Sequence, residues 1–237
     1  MPIPKPLKKF LRLRLGLKPV FDYVESRHRL IGVRDLPIRT VFDIGGNVGK
    51  MARLYRRTFP AAQIYSVEPV PACHEQLARW ATTQGGKVKT FNLALGAAPG
   101  ETHMWWNQEH SGGSSLVPSR FHTKDGAKIP VKVETLDRLA AGLELRDEIL
   151  VKIDTEGYDL EVIHGGKELL RRATVVIVEV IFENDLGEKP HLGQFTQELG
   201  ELGYLFRGFL GFGYVEGVPM GGDAVFIKRE SLRRPPQ

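Results

Sequence analysis

One cysteine occurs in 237 residues. Cys73 alone excludes an internal disulfide framework and any zinc site built from cysteines, and it fits a reducing compartment. No apolar run reaches the ~20 residues that span a bilayer. Near the N-terminus the apolar residues are interrupted by Lys and Arg, so no signal-peptide core forms. These absences predict a cytoplasmic protein. The first twenty residues also contain no acid. They carry Lys5, Lys8, Lys9, Arg12, Arg14 and Lys18, with Leu7, Phe10, Leu11 and Leu15 at roughly helical spacing. The pattern predicts a short basic amphipathic helix, either packed on the domain or in peripheral contact with an anionic membrane.

Charge is unevenly spread. Residues 1–40 hold ten Lys and Arg against three acids, a surplus larger than the +5 of the whole chain, so the remainder is mildly acidic. That segregation argues against a nucleic-acid-binding surface over the body. Residues 1–39 read as a basic helical extension and 40–230 as one α/β domain.

From Thr40 onward strands and helices alternate. Thr40–Ile44, Gln63–Val67, Val88–Ala94, Ile149–Ile153 and Thr174–Ile181 read as strands. Helices are predicted from the glycine loop to Phe59 and over Pro71–Thr83, Leu160–Arg171 and Leu192–Leu202. Glu101–Trp106 and Val131–Leu136 read as inserted strands flanking a Ser/Gly-rich loop. Tyr204–Phe209 and Ala224–Lys228 form an antiparallel pair across a Gly-rich connection. Strands separated by helices imply a mostly parallel twisted sheet with helices on both faces, here ending in an antiparallel hairpin.

The first strand runs into Asp43-Ile44-Gly45-Gly46-Asn47-Val48-Gly49. Glycines there let a backbone approach a ligand closely, and the next helix start offers unpaired N–H groups. A pyrophosphate would be repelled by Asp43. A cationic amino-acid end, such as the methionine ammonium of S-adenosylmethionine, suits it. Glu68 closes the second strand about 20 residues on and can accept ribose hydroxyls, a device that nicotinamide sites share.

The order of motifs resembles the FkbM-like family of S-adenosylmethionine-dependent methyltransferases. Asp43 to Gly49 is similar to that family's D-x-G-A-N-x-G, with Gly46 replacing the alanine. Ser66-Val67-Glu68-Pro69, Asn92-Leu93-Ala94-Leu95-Gly96, Thr135-Leu136-Asp137 and Lys152-Ile153-Asp154-Thr155-Glu156-Gly157 follow in the family's order. Tyr158-Asp159 departs from the small residue and Glu often found there. The resemblance covers about residues 40–230. It implies a class I methyltransferase Rossmann-like fold and O-methylation of a small-molecule or glycan hydroxyl. It implies a cofactor site of Asp43, Gly45, Gly46, Asn47, Gly49, Glu68, Asn92 and Ala94.

Methyl transfer from a sulfonium is an in-line displacement, so the protein mainly orients the reactants while a base removes a hydroxyl proton. Lys152, Asp154 and Glu156 end a central strand at the edge where open α/β sheets bind ligands. Regular alternation would put the three on one face. They are the predicted catalytic residues; the competing reading is a structural network of Lys152 with the carboxylates. Glu179 ends the next strand and, with Asp154, offers carboxylate oxygens to a divalent cation, though the resemblance requires no metal. Ser114, Ser115 and Trp105 join Glu179 as predicted acceptor contacts, the Ser-rich position because the family has a similar one near its active site. His103, His110 and His122 are alternative bases. Three other functions compete. A nucleic-acid methyltransferase lacks support, since no Asn/Asp-Pro-Pro-aromatic tetrad occurs. An NAD(P)-dependent oxidoreductase is opposed by Asp43, and an inactive binding module by the intact Asp43, Glu68 and Asp154.

Overall fold

The computed structural model describes residue 30 and residues 32–107, 113–117, 127–182 and 190–233. The chain divides into two units, Met1–Leu36 and Pro37–Gln237. In the first, the described residues make a turn in which Val33 and Arg34 donate backbone hydrogen bonds to the Leu30 carbonyl. The predicted basic helix of residues 1–20 lies outside the described residues. Among those described, no helix is long and apolar enough to cross a membrane.

The second unit is built on a seven-stranded sheet. Its strands are β1 (Thr40–Ile44), β2 (Gln63–Val67), β3 (Val88–Phe91), β7 (Ile149–Ile153), β8 (Val175–Ile181), β9 (Tyr204–Val215) and β10 (Val218–Lys228). They lie in the order β3-β2-β1-β7-β8-β10-β9. The first five run parallel, and β10 is antiparallel to both β8 and β9. Every residue of β1 and β7 is buried, as expected for central parallel strands covered on both faces. A second sheet, inserted after β3, holds β4 (Ala94–Leu95), β5 (Gly100–Trp105) and β6 (Lys128–Glu134) in the order β4-β6-β5.

Alternation along the strands separates two faces. Phe42, Ile44, Val151, Ile153, Val176 and Val178 point one way, into a core with residues of α3 (Leu136–Ala141), α4 (Asp159–His164), α5 (Lys167–Arg172) and α6 (Leu192–Glu201). Asp43, Ser66, Lys152, Ile177 and Glu179 point the other way. That face is covered by α1 (Lys50–Thr58), whose Tyr55 interacts electrostatically with Asp43 and Lys152. The remaining helix, α2 (Pro71–Ala81), packs beside β3 and reaches the glycine loop with Leu77.

Several boundaries differ from the sequence reading. The third strand stops at Phe91, and Ala94–Leu95 leaves for the second sheet. The inserted strand ends at Glu134 because the Thr135 side chain caps α3, accepting from the Arg138 N–H. The helix expected over Leu160–Arg171 breaks at Gly165-Gly166. A Cβ at Gly165 would sit 2.0 Å from the Gly96 carbonyl oxygen, and one at Gly166 2.7 Å from Leu136. The glycine pair thus trades helix continuity for close packing, Gly165 against the loop after β4 and Gly166 against Leu136 of α3. The largest difference is the terminal hairpin. Its Gly-rich centre is strand rather than loop, turned by Glu216 and Gly217 at φ 49° and 85°. Two successive positive φ values match the right-handed twist of a two-residue hairpin.

Candidate active site

The glycine loop leaves β1 under tight constraint. Gly45 and Gly46 both donate backbone hydrogen bonds to the Val67 carbonyl, 3.0 Å each, and the Asp154 N–H donates to the Ile44 carbonyl at 3.0 Å. Gly45 has φ +81°, and a Cβ on it would stand 1.8 Å from the Asp154 carbonyl oxygen. Only glycine lets the loop pass the end of β7. Gly49, at φ 84°, turns the chain into α1.

Two acids organise this loop from inside. Glu68 accepts the Asn47 N–H on Oε2 and the Val70 N–H on Oε1, both at 2.8 Å. Burial pushes its carboxyl up to about 7, against the opposing effect of those two donors. Asp43 is buried and accepts the Ser66 hydroxyl at 2.8 Å. Burial raises its carboxyl to about 6, with Ser66 and Lys152 partly offsetting the shift. A Cβ at Gly46 would lie 2.2 Å from Ser66 Oγ, so the Ser66 side chain fills the room that alanine would need there. Asn92 donates to the Glu68 and Pro69 carbonyls at 2.9 and 3.0 Å, bracing the end of β2, and Ala94 is buried in β4.

The acid cluster lies at the adjoining strand ends. Strand β7 stops at Ile153, so regular alternation does not carry Lys152, Asp154 and Glu156 onto one face. The chain turns instead, with Glu156 at φ 56°. Asp159 holds that turn by accepting the N–H groups of Thr155 and Gly157 at 3.1 and 3.0 Å. The turn nevertheless returns Glu156 to the site: one carboxylate oxygen each of Asp154, Glu156 and Glu179 lies within 4.8 Å of the others. Burial, followed by the Asp154 and Glu156 charges, pushes the Glu179 carboxyl up to about 8, and Lys152 only partly offsets this. A small pocket lined by Gly157, Asp159, Glu179, Ile181 and Pro190 adjoins the cluster.

Lys152 is 1% exposed. Its ammonium reaches Asp154 at 3.1 Å, Asp223 at 3.0 Å and the Ile153 carbonyl at 3.3 Å. Burial opposes the charge, but Asp154 and Asp223 reverse that effect and hold the ammonium well above its usual range. The predicted acceptor contacts are placed as follows. Ser115 is buried, donates to the Glu156 carbonyl at 2.8 Å and accepts the Val117 N–H at 3.0 Å. Ser114 is buried and accepts the Asn107 N–H at 3.1 Å. Both hydroxyls thus tie the loop down, and Ser115 ties it to the Glu156 turn. Trp105 ends β5 with the Lys128 ammonium 4.0 Å above its ring centroid. His103 is exposed on β5, and His110 and His122 lie outside the described residues.

Sequence reasoning missed Asp223, Ser66 and Tyr55. Ser66 was legible as the polar residue beside Glu68 in a buried strand. Asp223 was hidden by the glycines around it, which read as a loop. Tyr55 looked like ordinary helix core, and its ring is buried beside Phe59.

Comparison with known proteins identifies related chains. The model of the Methyltransferase FkbM domain matches residues 43–206. The 2-O-methyltransferase NoeI of Sinorhizobium fredii is 26% identical over 69% of this chain and 72% of its own length. Methyltransferase sdnD of Sordaria araneosa is 29% identical over 54% of this chain, and the hexuronic acid methyltransferase AglP of Haloferax volcanii 24% over 59%. The chain spans 60% and 55% of the lengths of those two. Among solved structures, methyltransferase FkbM from Methylobacillus flagellatus superposes with a TM-score of 0.54 at 12% identity, over 84% of this chain and 47% of the other.

Proposed function

Because the chain belongs to the FkbM methyltransferase domain family and has the class I methyltransferase fold, we propose that it is an S-adenosylmethionine-dependent O-methyltransferase acting on a hydroxyl of a small molecule or glycan. The observation that carries this reading is the join between the two halves of the site. Asp154, which begins the acid cluster, donates its N–H to Ile44, the last residue before the glycine loop, and Gly45 of the loop passes directly against the Asp154 carbonyl. This supports the reading, because a donor held by the loop and an acceptor held by the acids would share one frame, and positioning is the main thing an in-line displacement requires.

The residues fit the cofactor. Gly45 and Gly46 keep side chains out of the loop. Glu68 has spare lone pairs for ribose hydroxyls beyond the two N–H groups it accepts, and Asp43 supplies negative charge from beneath. When bound, S-adenosylmethionine supplies an electrophilic methyl group. On the acceptor side, Asp154 and Glu156 orient the hydroxyl and take its proton. Glu179, which keeps its own proton near neutrality, donates a hydrogen bond to the acceptor. The hydroxyl target is supported by the relatives, one of which is named a 2-O-methyltransferase and another a hexuronic acid methyltransferase. The same carboxylates would hold a divalent cation if one is used, and the reading does not require it.

Calorimetry with S-adenosylmethionine and with NAD tests the cofactor: the first is expected to bind and the second not, and the reverse sinks the reading. Labelled S-adenosylmethionine offered with glycan, lipid-linked and small hydroxylated acceptors tests the chemistry through product mass and linkage. Asp154→Asn is expected to lower turnover far more than cofactor affinity. Activity that persists after complete metal removal rejects a metal role.

A further inference from the structure

Strand β10 lies beyond residue 206, where the family match ends. It nevertheless contributes a charged group to the site. We propose that Asp223 is a positioning residue for methyl transfer, acting on Asp154 through the buried ammonium of Lys152. The proposal rests on the reading that Asp154 serves the acceptor.

Strand β8 separates β7 from β10, and neighbouring strands lie about 4.8 Å apart. Only a long side chain can cross β8, and Lys152 does so over Ile177, its register partner. Asp223 pairs in register with Glu179, so alternation puts Asp223, Glu179 and Lys152 on the same face. The backbone is shaped to bring Asp223 there. A Cβ at Gly221 would stand 2.7 Å from the Val180 carbonyl oxygen, and one at Gly222 2.3 Å from the Gly211 carbonyl oxygen. Two glycines therefore let β10 lie flush between β8 and β9 immediately before the acid. The register with β9 shifts between Gly222 and Ala224, where Leu210 and Gly211 of β9 together oppose Asp223, while the pairing of β10 with β8 runs unbroken through Asp223 and holds it beside Glu179.

The ammonium explains what Asp223 does. Lys152 has three N–H donors and three acceptors: Asp154, Asp223 and the Ile153 carbonyl. Its orientation is therefore fixed on all sides. The two carboxylates differ from it in exposure. The Lys152 side chain is 2% exposed, whereas those of Asp154 and Asp223 are 34% and 37% exposed. Each acid thus has one side on the buried cation and another toward solvent. With Asp223 present, Asp154 shares the cation. Without it, the whole ammonium turns to Asp154, drawing that carboxylate inward and away from an acceptor hydroxyl.

The test uses the full chain. With the hexoside or small alcohol that wild-type protein methylates fastest, Asp223→Asn is expected to lower kcat about tenfold while KM for S-adenosylmethionine stays within about twofold. Asp223→Glu, which restores the charge, is expected to recover part of the loss. Carbon-13 NMR of labelled aspartate supplies a readout independent of turnover. The Asp154 side-chain carboxyl signal is expected to shift in Asp223→Asn, and not to shift further when the same change is made in Lys152→Met. Should Lys152→Met fail to fold, Asp223→Glu is expected to return the Asp154 signal toward its wild-type position. Unchanged kcat in Asp223→Asn, or an Asp154 signal indifferent to residue 223, overturns the proposal. Failure of wild-type protein to bind S-adenosylmethionine overturns the cofactor reading instead, and the NMR comparison still decides the link through Lys152.

Discussion

The glycine loop after β1 is held by backbone hydrogen bonds, by the Glu68 carboxyl that accepts the Asn47 N–H and by the absence of side chains, whereas the acid cluster at the ends of β7 and β8 brings like charges together. In the loop, Gly45 and Gly46 donate to one carbonyl, and the space a Cβ would take at either is already filled. In the cluster, Asp154, Glu156 and Glu179 crowd together, and Asp154 alone of the three holds the buried Lys152 ammonium. The first arrangement tolerates no added atom. The second depends on the protonation of groups that face one another.

The largest expected effect tests the steric half. Gly45→Ala places a methyl on the Asp154 carbonyl oxygen at a positive φ. Backbone strain and overpacking each cost about 1–3 kcal/mol, so a loss of at least about 3 kcal/mol in unfolding free energy is expected, with cofactor binding abolished. Denaturant unfolding measures it. A variant as stable as wild type would mean that the loop stands clear of β7, and the comparison would fail at its first term.

A smaller effect tests the buried acids of both regions. Asp43, Glu68 and Glu179 have carboxyls raised to about 6, 7 and 8, chiefly by burial. Each holds its proton more tightly folded than unfolded. The resulting stability is fully present below the ordinary carboxylate range and is lost as pH climbs through those raised values. The ligand-free protein is therefore expected to melt at a higher temperature at pH 5 than at pH 8. The decline is expected to be steepest near pH 5 to 6, where all three groups keep protons only when folded, and Glu179→Gln is expected to remove most of its last part, between pH 7 and 8. Melting curves across this range, for both proteins, are the measurement. A Glu179→Gln profile that parallels wild type would show that burial and the neighbouring acids do not hold Glu179 protonated in the folded protein.

The same division decided how much could be read from the sequence. Strands β1, β2 and β7 end where their apolar runs end, and the glycine loop with Glu68 is a contiguous local pattern. Asp154 was found because it follows a strand on the ligand edge of a parallel sheet, and Glu179 because it lies near the end of the next one, although β8 runs two residues further, to Ile181. Other features depend on partners distant in sequence. Glu156 arrives through a turn held by Asp159, not through strand alternation. The break at Gly165-Gly166 needs the loop at Gly96 to be in place. Asp223 joins the site only because glycines that resemble a loop instead allow close strand packing, and a two-residue Glu-Gly turn was the signal that a long hairpin was present.

The smallest expected effect falls where the two halves meet. Tyr55 on α1 is fully buried, and its hydroxyl finds no hydrogen-bond partner among the described residues. Burial and the neighbouring Asp43 charge push the phenol up, so it stays neutral beside both Asp43 and Lys152. The ring is stacked on Phe59 at 6.5 Å between centroids, and phenylalanine would keep that contact. A buried polar group without a partner costs about 1–3 kcal/mol, so deleting the oxygen relieves a penalty while leaving the packing intact. Tyr55→Phe is therefore expected to be neutral or slightly stabilising in thermal unfolding without ligand. If the hydroxyl serves only the fold, S-adenosylmethionine should raise the melting temperature of both proteins equally. A smaller ligand-induced rise in Tyr55→Phe would assign the hydroxyl to the loaded site, and would extend charge-sensitive behaviour from the acid cluster into the helix that follows the glycine loop.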